Sequence, residues 1–277
     1  MGVRRAVDMA AAASRQAESS GGRVYSLGPL IHNPRVLEEL ERLGLRITDG
    51  LLPHKLNGAV VVIRAHGVSP ETEAALRDAG ACLIDATCPR VKASQLKAAS
   101  FARCGRRIFL AGEASHAEIA GIIGYAAAGF YAVAGSVAEA ETLAASLYSE
   151  NPDAKTALLG QTTITEGEYN AVAELVKKYF PDIEIALTIC PATSEQQKSL
   201  RELAEIVDAI VIAGGKESAN ARRLLSVAQE SRKPCVLVET AADIPQNFYR
   251  YETIGLAAGT SAPDSVMQEI EQALNGE

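Results

Sequence analysis

The sequence contains no tryptophan, and aromatic residues make up only 5% of its 277 positions. With so few rings, neither a base-stacking platform for nucleic acid nor an aromatic groove for sugars is expected. Positive charge is also short: 27 Lys and Arg against 34 Asp and Glu leave a formal net charge of −7. Non-specific nucleic-acid binding needs the opposite balance, because a surplus of cationic side chains must displace counterions. The paired arginines Arg4-Arg5, Arg106-Arg107 and Arg222-Arg223 read as solvated helix or turn charges. Long apolar runs are missing too; the longest, about six residues, falls far short of the roughly 20 that a membrane helix requires. The opening MGVRRAVDMA carries charge but no apolar stretch or cleavage site, so no signal peptide is read there. Met1-Gly2 lacks the Ser or Thr of a myristoylation start. A cytoplasmic protein with five reduced cysteines is expected. Ligation or catalysis is then the question to ask of them, not disulfide pairing.

Hydrophobic residues at 48% and charged residues at 22% give an ordinary globular balance with ample core. The chain repeats one unit six times: an apolar strand, a short polar loop, then an amphipathic helix. Examples are VYSLGPLIHNPRVLEEL, VVVIRAHGVSPETEAAL, IFLAGEASHAEIAGII and AIVIAGGKESANARRLL. Continuous Val/Ile/Leu strands belong to a parallel sheet buried on both faces, and their alternation with helices gives an α/β fold. Capping residues mark the helix starts: Asn33-Pro34, Ser69-Pro70, Ser115, Thr165, Ser218 and Ser261-Ala262-Pro263-Asp264. The polar loops follow the carboxyl ends of strands, where open α/β sheets place ligands. Six such loops in consecutive pairs predict three small pseudo-symmetric α/β domains around a central cavity, with divisions at 1–93, 94–190 and 191–277.

Two segments, CLIDATCPRVKAS and EIALTICPATSEQ, set a Cys-Pro pair between strand and helix. Proline at the first helical position costs no hydrogen bond and leaves the free N–H groups beside the sulfur, a position that favours negative charge. The repeated context marks Cys88 and Cys190 as metal ligands. Cys82, Cys104 and Cys235 lack it and read as small core residues. The strand-end loops hold His32-Asn33, His66-Gly67, His116 with Glu118, Gln161-Thr162-Thr163, Ser218 with Asn220, and Ser261. These are neutral donors near helix starts, the arrangement that cradles phosphate, and histidines can go further and donate as imidazolium if an anion raises their pKa. His54 has no such placement and reads as solvated. Glu118 is the acid candidate: in a poorly solvated pocket a carboxyl pKa rises and the group holds a proton for delivery.

At these residues the chain closely resembles the 4-hydroxy-3-methylbut-2-enyl diphosphate reductases of the methylerythritol phosphate route to isoprenoids. The matching segments run almost end to end: GVRRAVDMA, IHN, AHGVS, DATCP, H-x-E with Gly121, QTT, IC-x-AT, ESAN and SAPD. Each is weak alone, and their joint order is specific. The resemblance implies three α/β domains around a cavity and a 4Fe–4S cluster held by three cysteines, with one iron open to the substrate hydroxyl. It implies Cys88 and Cys190 as two of those ligands. His32, His66, His116, Ser218, Asn220 and Ser261 would hold the diphosphate, Thr162 the hydroxyl end, and Glu118 would feed protons. The implied reaction removes the hydroxyl as water with two electrons and protons, giving isopentenyl and dimethylallyl diphosphate. The implied partners are an allylic diphosphate and an electron donor such as ferredoxin or flavodoxin.

The sequence departs from the family pattern at several places. The family's first cluster cysteine lies in Phe-Cys-x-Gly-Val, and here Met1 stands at the x; the chain is expected to extend upstream. A usual Pro after the histidine of the H-x-E segment is Ala117, an Arg-Gln pair is Gln196-Gln197, and a Ser before Asn220 is Ala219, which removes one phosphate donor. Two other readings stay open on the residues alone. One is a cluster-deficient diphosphate-binding paralogue without activity. The other is a phosphoester enzyme with a divalent ion among His32, His66, His116 and Glu118.

Overall fold

The computed structural model describes residues 2–48, 56–126 and 131–276. His54 lies outside the described residues. Helix α1 (Gly2–Ser20) is followed by β1 (Val24–Leu27), α2 (Pro34–Arg42), β2 (Leu45–Thr48), β3 (Val60–Ile63), α3 (Pro70–Asp78) and β4 (Cys82–Asp85). These strands form one sheet in the order β2-β1-β3-β4. Then come α4 (Pro89–Arg103), β5 (Arg107–Ala111), α5 (Ala117–Ile123), β6 (Tyr131–Ala134), α6 (Val137–Glu150), β7 (Thr156–Gly160), α7 (Glu166–Tyr179) and β8 (Glu184–Ile185). The second sheet runs β6-β5-β7-β8. The last part is α8 (Pro191–Ile206), β9 (Ala209–Ala213), α9 (Ala219–Glu230), β10 (Cys235–Val238), β11 (Ile254–Ala258) and α10 (Asp264–Asn275), with the third sheet in the order β10-β9-β11.

Every described strand pair is parallel. The apolar runs explain this. All five residues of β7 and all five of β9 are buried, as a strand covered by helices on both faces requires. The three sheets share one strand order: the first strand of each pairs the second on one side and the third on the other. Successive connections therefore depart in opposite directions at β1/β3, β5/β7 and β9/β11. Such switch points open a crevice at the strand carboxyl ends. The six loops that carry His32, His66, His116, Thr162, Ser218 and Ser261 leave these six strands.

Helix α1 lays an alanine stripe, Ala6, Ala10, Ala13 and Ala17, on the first sheet. Residue 93 falls inside α4, which packs on α5, β5 and β7; the chain passes from the first sheet to the second at Cys88. Asn33, Ser69, Thr165 and Ser218 cap their helices through their side chains, and Thr165 forms a capping box with Glu168. Two expected caps differ. His116 caps α5 in place of Ser115, its Nδ1 accepting from the Glu118 N–H at 3.2 Å. Helix α10 begins at Asp264 with Pro263 at the cap, which leaves the Ser261 hydroxyl free of capping.

The minor cysteines are not core residues as a group. Cys82 is exposed on the edge strand β4 and Cys104 is exposed at the end of α4, while Cys235 is half-buried beside the cluster around Leu200 and Leu224. Arg222 and Arg223 are also not free charges. They pair with Glu113 at 2.7 Å and Glu168 at 2.6 Å, joining the second and third units, and Arg35–Glu269 at 2.5 Å joins the first and third.

Candidate active site

One cavity of about 120 Å³ lies where the three units meet. Each of the ten residues singled out from the sequence lines it: His32, His66, Cys88, His116, Glu118, Thr162, Cys190, Ser218, Asn220 and Ser261. The closeness of the units is set by residues without side chains. A Cβ at Gly215, in the loop after β9, would lie 1.9 Å from the His32 carbonyl oxygen, so no other residue lets the third unit approach the first this way.

The imidazoles of His32, His66 and His116 form a cluster, with ring centroids 5.3 Å apart for His32–His66, 5.2 Å for His66–His116 and 6.5 Å for His32–His116. Burial is the main cause that pushes all three below the ordinary histidine pKa. His66 is further lowered by His116, His32 and Arg64, and His116, at about 4, by His32, Arg222 and Arg64. Arg64 and Arg222 also lower His32, against an opposing effect of Glu217. In the free protein these rings are neutral at neutral pH, not imidazolium. The cap fixes one of them further: since His116 Nδ1 accepts a backbone N–H, its proton sits on Nε2. Ligand atoms of the three histidines come within 4.8 Å of one another, a spacing that suits a divalent ion. Nε2 of His116 nevertheless carries hydrogen and no free lone pair, so it offers an anion a donor and a metal nothing. That weighs against the phosphoester-metal reading.

Buried polar atoms without partners include His66 Nδ1, Asn220 Oδ1, Thr163 Oγ1 and Ser261 Oγ. Such atoms are costly unless a ligand or water pairs them. Supporting bonds that the sequence did not reveal hold this wall in place. Asn33 Nδ2 donates to the Ser261 carbonyl at 3.1 Å, and Asn220 Nδ2 donates to Gln196 Oε1 at 3.3 Å. Gln196, noticed only as a departure from the family pattern, thus orients Asn220.

Glu118 is 2% exposed. Its Oε1 accepts from Thr162 N–H at 2.7 Å and its Oε2 from Thr162 Oγ1 at 2.8 Å. Burial raises its pKa from 4.5 to about 7 although both Thr162 bonds pull it down. A buried carboxyl of raised pKa is thus coupled to one hydroxyl that also lines the cavity.

Cys88 and Cys190 occupy matching places. Each is the N-cap of a helix with Pro next, and neither makes a side-chain capping bond. Cys88 N–H donates to the Ala65 carbonyl and Cys190 N–H to the Thr162 carbonyl, both at 2.9 Å, which ties each thiol to a neighbouring site loop. Thr193 Oγ1 adds a bond to the Thr162 carbonyl at 2.9 Å. Gly2 also lines the cavity, and a Cβ there would lie 2.5 Å from Cys88 Sγ, so the amino end of α1 abuts the sulfur.

A family model described as LytB protein matches residues 1–275. The chain belongs to the LytB family. Among curated LytB relatives, the 4-hydroxy-3-methylbut-2-enyl diphosphate reductase of Treponema denticola is 41% identical over 99% of this chain and 94% of its own length. That of Aquifex aeolicus is 35% identical over 99% of this chain and 91% of its own. A solved structure, the E-1-hydroxy-2-methyl-but-2-enyl-4-diphosphate reductase from Plasmodium falciparum, superposes with a TM-score of 0.88 at 25% identity, covering 98% of this chain and 83% of that one. A second, of an (E)-4-hydroxy-3-methyl-but-2-enyl diphosphate reductase, gives 0.70 at 33% identity, covering 100% of this chain and 95% of that one. The family's named members are oxidoreductases. An iron–sulfur group is consistent in kind with the two cavity thiols, which are soft ligands at helix starts, but the described residues supply two sulfurs where a site-differentiated cluster takes three.

Proposed function

We propose that the chain performs the reaction for which its relatives are named: reductive dehydroxylation of 4-hydroxy-3-methylbut-2-enyl diphosphate to isopentenyl and dimethylallyl diphosphate, with a 4Fe–4S cluster. Cys88 and Cys190 would be two of its ligands, beside the amino end of α1, where Gly2 abuts Cys88 Sγ. The observation that carries the reading is the shared cavity. A protonatable buried Glu118, a hydroxyl bonded to it, two unencumbered thiols and a wall of unpaired polar atoms meet in one cavity.

The diphosphate binds at the histidine wall, where His116 Nε2–H and the groups of Ser218, Asn220 and Ser261 replace water around its oxygens. At neutral pH Glu118 is divided between its two forms. When protonated it gives its hydrogen to Thr162 Oγ1, which turns the threonine's own hydrogen toward the cavity and the departing hydroxyl. The C–O bond then breaks with loss of water and a C–H bond forms, consuming two electrons and two protons. When bound, the cluster supplies the electrons and a Lewis-acidic site for the hydroxyl. The electrons come from a small carrier of the ferredoxin or flavodoxin kind. A cytoplasmic setting suits the free thiols, and among the described residues no helix is long and apolar enough to cross a membrane.

The count of two described cysteines at the cavity favours one other reading, a diphosphate-binding paralogue without a cluster. Anaerobic reconstitution of the chain with iron and sulfide separates the two. The reductase reading expects absorbance near about 410 nm that shifts when substrate is added. Tight substrate binding without iron or sulfide uptake would replace it with the paralogue.

A further inference from the structure

Arg64 is a half-buried cation that no described carboxylate neutralises. It is the first residue after β3 and lies two residues before His66 in the same loop. Among the described residues no carboxylate pairs with it, its Nε is buried without a hydrogen-bond partner, and burial holds its pKa down. The neighbouring loop makes room for it. Gly28, on the way to His32, has φ +68°, and a Cβ there would sit 3.0 Å from Arg64 Nη1. The guanidinium is thus wedged between the loops of His32 and His66.

Its field reaches all three imidazoles, since each is lowered by Arg64. The other charges that act there are compensated or opposed. Arg222 acts on His32 and His116 but is paired with Glu113, and Glu217 acts on His32 with the opposite sign. An unpaired cation away from water is a liability in the free protein. After burial, it helps keep the imidazoles from gaining protons, so the cluster has no charge of its own to draw an anion. Both effects are reversed when a multivalent anion arrives.

We propose that Arg64 is the charge-balancing residue of the cavity: without lining it, the guanidinium draws the diphosphate into the His32–His66–His116 cluster, which binds as neutral donors. This rests on the reading of that wall as a diphosphate site. Two consequences follow that a structural arginine would not have. Affinity for a diphosphate depends on salt although the groups touching it are uncharged. Removing the charge also weakens binding while leaving the free protein no less stable.

The test is calorimetric titration of the whole chain with inorganic pyrophosphate at low and moderate salt, for the parent, Arg64→Met and Arg64→Lys, with thermal melts of each ligand-free protein. Arg64→Met is expected to weaken binding by about tenfold or more and to flatten its salt dependence, with an unchanged or raised melting temperature. Arg64→Lys is expected to restore most of the affinity. Parent-like affinity and salt dependence in Arg64→Met would overturn the proposal and leave the cavity reading intact. A lowered melting temperature with binding not rescued by lysine would overturn it as a structural effect. A parent that does not bind pyrophosphate at all would overturn the cavity reading and the proposal together.

Discussion

Replacing Glu118 with glutamine removes the group whose protonation near neutral pH the mechanism needs, and its effect on stability can be worked from the structure. Burial moves the folded-state pKa from 4.5 to about 7. The unfolded chain releases this proton near its ordinary value, whereas the folded chain keeps it until about neutrality. Below the unfolded value both states are protonated and the group costs nothing. As pH rises through the window between the two values the folded state binds the extra proton, so stability falls. Above the folded value the buried carboxylate imposes its full penalty, about 3 kcal/mol at roughly 1.4 kcal/mol per pH unit. Glutamine has no such dependence. It adds a constant offset, because its amide must re-pair with Thr162 Oγ1 while its oxygen still accepts from Thr162 N–H. The three histidines run the other way, losing stability as pH falls below their unfolded value, but they are common to both proteins and cancel in the difference. Urea unfolding of parent and Glu118→Gln at about pH 5 and about pH 8.5 measures that difference. The variant should gain roughly 2–3 kcal/mol on the parent across this range, since at pH 5 the unfolded chain has already released most of this proton. A difference that stays flat to within about 0.5 kcal/mol would mean that Glu118 does not hold a proton at neutrality, and the relay through Thr162 would fail with it.

Gly215→Ala should separate the first and third units, since its Cβ would lie 1.9 Å from the His32 carbonyl oxygen. A loss of about 1–3 kcal/mol in a denaturant melt is expected, together with loss of pyrophosphate binding by calorimetry. Because the three cavity histidines are neutral when free and bind as neutral donors, pyrophosphate should bind with no proton uptake beyond that of the ligand itself. Titrations in buffers of different ionisation heat measure the uptake, and a clear excess over that of the ligand would contradict the neutral-donor reading. Cys190→Ser should lose most of the iron and sulfide taken up on reconstitution, whereas Cys82→Ser, at an exposed sheet edge, should take up as much as the parent.

Most of the site was legible because it depends on features that are local in sequence. An apolar run, a loop of small polar residues and a capped helix identify a strand end wherever they occur, and open α/β sheets bind ligands there. That the two loops of each unit meet follows from the repeated strand order, which places β1/β3, β5/β7 and β9/β11 at switch points. What sequence reasoning missed depends on neighbours distant in the chain. Arg222 and Arg223 look like solvated charges until Glu113 and Glu168 of another unit are beside them. Gln196 has meaning only against Asn220. His116 displaced Ser115 as a cap because either residue has an acceptor in reach of the first turn, and the local sequence does not choose between them. Reading Cys82 and Cys104 as core residues followed the general tendency of cysteine to be buried, yet an edge strand and a helix end leave them exposed.

The central claim is that this cavity reduces an allylic diphosphate with protons delivered through Glu118. The most direct test is anaerobic incubation of the reconstituted protein with 4-hydroxy-3-methylbut-2-enyl diphosphate and a reduced viologen, followed by product analysis. The account predicts isopentenyl and dimethylallyl diphosphate from the parent and little of either from Glu118→Gln. Substrate recovered unchanged from a parent that holds both cluster and diphosphate would contradict it.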